Sequence, residues 1–125
     1  MSAVTWTLIL VGVLLNAAAQ LMLKAATSAT GVIALSGAGL AAALPRLLSH
    51  PGSWGGIGCY AVSVVVWVLA LSRAPVSIAY PLLSIGYIVN ALLAYWLFGE
   101  PLHATKFAGI FVIIVGVYLL TRSPA

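Results

Sequence analysis

Four stretches of this chain carry no Lys, Arg, Asp or Glu: residues 1–23, 51–72, 74–99 and 107–121. All the charges stand in the gaps, at Lys24, Arg46, Arg73, Glu100, Lys106 and Arg122. An α-helix of about 20 residues crosses the roughly 30 Å hydrocarbon core of a bilayer. In hydrocarbon every backbone N–H and C=O must find a partner inside the protein, which leaves helices and closed barrels. The apolar runs are continuous and do not alternate with polar residues, which argues against barrel strands. The spacing therefore predicts helices near 3–23, 54–72, 77–98 and 105–121. The last is the shortest, and Lys106 and Arg122 flank it with stems long enough to reach the headgroups. The expected fold is an all-α integral membrane protein, with residues 1–125 as a single transmembrane domain.

Composition narrows the function classes. Hydrophobic residues make up 64% of the chain and charged residues 5%, against about 25% charged in soluble domains. A soluble domain of 125 residues could not hide that much apolar surface. Five scattered basic residues form no phosphate-tracking stripe, so nucleic acid is not an expected partner. The lone Cys59 excludes an internal disulfide and a Cys-rich metal site, and is read as a small packed apolar group. His50 and His103 fall outside the spans. No Ser-His-Asp triad, paired carboxylate or nucleotide-binding motif is present, so neither an enzyme nor a bound cofactor is expected.

Two segments invite a second reading. Ala17, Ala18 and Ala19 resemble a signal-peptide cleavage site. The residues before the first apolar run include no basic one, however, so the first span is expected to be a retained helix. Residues 25–45 are uncharged and could form a fifth span. Three hydroxyl residues (Thr27, Ser28, Thr30), Ser36, three glycines and many alanines weaken insertion, and Leu40, Leu44, Leu47 and Leu48 fall on one helical face. The expectation is an interfacial helix near 31–50 between the first two spans. Arg73 and Arg122 on one side, against Lys24, Arg46 and Lys106 on the other, set no orientation.

Polar side chains are costly in hydrocarbon, so each one asks for a reason. Asn16, Gln20 and Lys24 follow at i, i+4, i+8 and make one stripe from mid-membrane to the interface. They serve either as interhelical hydrogen-bonding groups with Lys24 reaching outward, or as the wall of a wet cavity that ends in a cation. The second span carries Tyr60, Ser63 and Trp67; the third carries Tyr80, Ser84, Tyr87 and Asn90. These aromatics either belong to interfacial belts and packing, or line a cavity that meets both sugar and lipid. Trp6, Trp54, Tyr95 and Trp96 lie near span ends and are read as belt anchors. Pro81 either starts the third span or kinks it. Glu100 and Pro101 are read as the cap and first turn of the last helix. Gly109 and Gly116 share one face of that helix, and a small-residue face suits a dimer contact. No acid lies within any span.

These features resemble the drug/metabolite transporter superfamily in its small four-helix branch. Leu15-Asn16-Ala17-Ala18-Ala19-Gln20-Leu21-Met22-Leu23-Lys24 looks like that branch's first helix. Asn16 stands where its multidrug members have an essential glutamate, which weighs against proton-coupled drug export. The match is closer to subunits that flip 4-amino-4-deoxy-L-arabinose-phosphoundecaprenol. Residues 17–27 are similar to their xxGQLxxKxAT segment, with Ala19 in place of the glycine. Pro75-Val76-Ser77-Ile78-Ala79-Tyr80-Pro81-Leu82-Leu83-Ser84 is similar to their PVGIAYPMLS segment, and Glu100-Pro101-Leu102 to their HEPVS turn.

The resemblance implies a multi-pass protein of the bacterial inner membrane that moves a polyprenyl-phosphate-linked amino sugar, used in lipid A or envelope glycan modification. Its partners would be that lipid-linked substrate, membrane lipids, and a second subunit in a homodimer or a heterodimer with a sister protein. Asn16, Gln20, Tyr60, Trp67, Tyr80, Ser84, Tyr87 and Asn90 would then meet the sugar and tail, and Lys24 and Arg73 the phosphate. A multidrug-type exporter of cations or metabolites and a non-transporting partner subunit are the competing readings.

Overall fold

Ser2 opens the first helix: its hydroxyl accepts the Thr5 N–H at 3.3 Å, satisfying one of the four donors that a helix start leaves free. The computed structural model, which describes residues 2–122, is built of helices and their connections. Helix α1 runs over Ala3–Thr30, seven residues past the expected end at 23. Lys24 does not stop it, because a charged side chain at a helix surface can be carried outward without breaking the backbone ladder. Gly31 ends it instead, at φ +87°, with its N–H on the Thr27 carbonyl at 2.8 Å. At 28 residues α1 is about 42 Å long, more than a hydrocarbon core requires.

Helix α2 (Gly37–Ser49) fills the stretch between the first two spans. Its 13 residues reach roughly 20 Å, too short to cross. His50 alone joins it to α3 (Pro51–Leu71). The imidazole Nδ1 accepts the Gly52 N–H at 2.9 Å, and Pro51 sits in the first turn, where a missing N–H costs nothing. Trp54 ties the two helices together, its indole N–H donating to the Leu48 carbonyl at 2.6 Å.

The third span is in two pieces. Helix α4 (Val76–Ala79) is followed by a 3-10 turn over Pro81–Leu83 and then by α5 (Ser84–Phe98). Pro81 cannot donate to the carbonyl four residues back, so the ladder tightens there. Of the two roles open to Pro81, it interrupts the span. Gly99, at φ +68°, closes α5. The last helix, α6 (Ala104–Arg122), begins four residues after Glu100. Glu100 and Pro101 are thus not its cap and first turn. They form the connection from α5, and the Glu100 carboxylate turns to α1.

Four helical segments are long and apolar enough to cross a membrane: Ala3–Thr30, Pro51–Leu71, Val76–Phe98 and Ala104–Arg122. Helix α1 is the hub, with α3 and α5 both lying against it. The α1–α3 seam is built from small residues on a seven-residue repeat: Thr5, Gly12, Ala19 and Ala26 facing Gly56, Ser63 and Ala70, all buried. The helices run antiparallel. A methyl group on Gly12 would meet Trp67 at 3.3 Å, while one on Gly56 would meet Leu23 at 2.8 Å. Lipid tails are as apolar as leucine, so association here rests on close backbone approach and dispersion. Gly86 brings α5 onto α1 in the same way, 3.2 Å from Val13 by the same measure.

The apolar core lies at one end of the bundle. Ile9 and Val13 of α1 pack with Ala70, Ala74, Ile78, Ala79 and Leu82. The interrupted segment of the third span is therefore held in the core. Trp6 packs against this cluster, so it does more than mark an interface. Helix α6 has no buried residue and meets the core through the partly buried Val117.

Candidate functional site

Above the core, α3 and α5 diverge while both stay on α1, and a groove of about 570 Å³ opens between them. Asn16 and Gln20 of α1 form part of its floor. Tyr60, Ser63 and Trp67 come from α3; Tyr80, Tyr87 and Asn90 come from the third span. Helical spacing explains the gathering. Residues three, four and seven apart share a face, and the small seam residues turn those faces inward. Gly12 and Gly86, which let α3 and α5 close onto α1, also line the groove.

A second groove of about 490 Å³ continues toward the end of the bundle where α1 and α5 finish. Gln20, Tyr87 and Asn90 line both. The second is completed by Lys24, Glu100 and Lys106, with Leu21, Ala91 and Ala94. Asn16 to Lys24 is a rise of about 12 Å along α1, so the amides and the ammonium form one file. At its end Lys24 Nζ is 3.7 Å from Glu100 Oε1. Lys106 Nζ donates to the Pro101 carbonyl at 2.9 Å.

The polar atoms of the first groove differ in how they are satisfied. Ser63 is buried, and its hydroxyl donates back to the Tyr60 carbonyl at 2.7 Å, which occupies its proton. Asn90 Oδ1 is buried without a hydrogen-bond partner. Such an acceptor costs about 1–3 kcal/mol when left unmet. Tyr80 and Tyr87 are exposed, so their phenols remain accessible.

Of the residues singled out in the sequence, Asn16, Gln20, Tyr60, Trp67, Tyr80, Tyr87 and Asn90 come together around the first groove, and Lys24 joins through the second. Arg73 and Ser84 line neither. Arg73 follows the end of α3, and the antiparallel α1–α3 packing puts it at the far end of the bundle from Lys24. Gly12, Gly86 and Lys106 were not foreseen. A glycine facing a groove has no chemistry to betray it, though the seven-residue repeat through Gly12 was there to be read. Among the described residues no group of His, Cys, Asp and Glu could hold a metal ion.

Apolar helices around connected grooves of amides, phenols and two ammonium groups have the build of a small multi-pass membrane protein with a polar interior. Comparison with known proteins agrees. The chain is 42% identical over 88 residues to a probable 4-amino-4-deoxy-L-arabinose-phosphoundecaprenol flippase subunit ArnF of Aeromonas hydrophila, covering 66% of this chain and 60% of that protein. It is 36% identical over 75 residues to a probable subunit ArnE of the same flippase in Pseudomonas fluorescens, covering 60% of this chain and 66% of that one. With a probable ArnE subunit of Escherichia fergusonii it shares 33% identity over 102 residues, 80% of this chain and 92% of the relative. The chain belongs to this family of flippase subunits and is a multi-pass protein of the bacterial inner membrane. It spans about 60% of the length of the Aeromonas relative. No family model and no solved structure matches it.

Proposed function

We propose that this chain is a subunit of a flippase that carries a polyprenyl-phosphate-linked amino sugar across the inner membrane, for modification of lipid A or another envelope glycan. The observation that carries the reading is the continuous file of Asn16, Gln20, Asn90 and Tyr87 leading to Lys24. Hydroxyl and amine donors of the sugar meet Asn90 Oδ1 and the other amides, which stand in for lost water. Tyr60 and Trp67 offer aromatic faces to the ring. Lys24 supplies a point charge for the phosphate. The polyprenyl tail stays in lipid and leaves sideways between α3 and α5, past the exposed Val64 and Val68. No bond is made or broken, so the activity is transport and not catalysis. Helix α2 lies along the membrane interface, through Leu40, Leu44, Leu47 and Leu48.

The test is reconstitution into liposomes, alone and together with a sister subunit, with a labelled polyprenyl-phosphate amino sugar. Headgroup exposure in the opposite leaflet at a rate well above that of protein-free vesicles supports the reading. A rate equal to those vesicles in both preparations removes it.

Two consequences follow for individual residues. Asn90→Leu removes an unpaired buried acceptor, so the unliganded protein gains stability, by roughly 1 kcal/mol, while transport falls. Thermal unfolding in detergent and the liposome assay measure the two effects. The second concerns assembly. A methyl group on Gly109 or Gly116 meets nothing within 4 Å in the subunit, and we assign this face of α6 to a second subunit. Gly109→Ile then leaves the subunit's own unfolding unchanged. It weakens dimerisation about tenfold, the loss of 1–2 kcal/mol of close helix packing, as read by cross-linking across a dilution series.

A further inference from the structure

The Lys24–Glu100 pair joins groups 76 positions apart in the sequence and closes the outer end of the second groove. Its geometry is loose. At 3.7 Å the atoms are beyond the 2.7–2.9 Å of a charge-assisted hydrogen bond. The side chains of Lys24 and Glu100 retain 50% and 41% of their exposure. Lys24 therefore holds three N–H donors with no close acceptor. Lys106 lines the same groove and gives one of its donors to the Pro101 carbonyl, keeping two. Two ammonium groups and one carboxylate share this end, and the carboxylate is the only acid in the chain.

We propose that Glu100 is an intramolecular stand-in for the substrate's phosphate. A monoanionic phosphodiester displaces its carboxylate and binds between Lys24 and Lys106. This rests on the flippase reading and adds to it a second phosphate ligand and a built-in competitor. Charge balance selects the ligand. Exchange of one carboxylate for one phosphodiester leaves the local charge unchanged. A phosphomonoester brings about −1.5 to −2 at neutral pH. The competitor also gives Lys24 a partner when no lipid is bound, which lessens the cost of holding it beside hydrocarbon.

The experiment uses the full chain in nanodiscs and a radiolabelled farnesyl phosphodiester of a pentose. Farnesyl monophosphate and inorganic phosphate serve as unlabelled competitors. Removing an exposed competing pair releases binding energy equivalent to about a two- to fivefold change. Glu100→Gln is therefore expected to tighten diester binding by that factor. Glu100→Asp, with a shorter reach, tightens it less, and Lys106→Gln weakens it by a similar factor. Unchanged or weaker binding in a folded Glu100→Gln protein overturns the proposal. So does failure of both Glu100 variants to fold, which makes the pair structural. Competition by inorganic phosphate as strong as by the unlabelled diester also overturns it, because the site then takes free phosphate and not a lipid headgroup. The order of affinities stands or falls separately from transport. Wild-type flipping with no effect at Glu100 ends this proposal alone. The expected order without wild-type flipping ends the transport reading and leaves the anion site.

Discussion

Lys24→Ala is expected to slow transport by at least about tenfold while the helices stay folded. The ammonium sits at the end of the file of amides, and its tie to the rest of the protein is the loose contact with Glu100. Its loss therefore costs the fold little, since a half-exposed pair contributes at most about 1 kcal/mol. A charge-assisted contact to phosphate is worth about 1.5–3 kcal/mol, a loss of roughly 10- to 150-fold in a rate that depends on it. Lys24→Arg keeps the charge with a different geometry and retains part of the activity. The liposome assay reads the rates, and circular dichroism in the same detergent reads the fold. A Lys24→Ala protein that is folded and moves lipid at the wild-type rate removes the phosphate role.

The second large effect concerns stability. Gly56 sits at a close approach of α3 to α1. A methyl group there would lie 2.8 Å from Leu23 Cγ and 3.1 Å from the Ala19 carbonyl. One neighbour is backbone and cannot swing away. Gly56→Ala is expected to lose about 1–3 kcal/mol by overpacking, and Gly56→Leu to give no stable bundle. Gly58, two residues on, opens onto nothing within 4 Å. Gly58→Ala is expected to be neutral or to gain about 0.5–1 kcal/mol from helix propensity. Equal behaviour of the two alanine variants in detergent unfolding would contradict the close seam.

The contrast between these residues shows what a sequence exposes. The spans were legible because a bilayer punishes charge, so charge-free runs mark them directly. The stripe of Asn16, Gln20 and Lys24 was legible because helical periodicity is local. The end of α1 was misjudged by treating Lys24 as a boundary. The better signal was Gly31, whose positive φ closes the helix. Glu100 was assigned to the next residues along the chain, a helix start it does not serve. Its partner is brought near only by the packing of α5 and its loop against α1, which no local pattern encodes. Arg73 lines neither groove for a related reason: charge type was readable, but which end of the bundle it occupies follows from the antiparallel seam. The α1–α3 seam itself was readable in principle, since small residues recur every seven positions on both helices.

Helix α6 has one more consequence, for the lipid. Lys106 and Arg122 stand about 24 Å apart along its axis, short of the roughly 30 Å hydrocarbon thickness. The Lys106 and Arg122 stems reach across that difference, which spares the bilayer a thinning that would cost fractions of a kcal/mol per ångström.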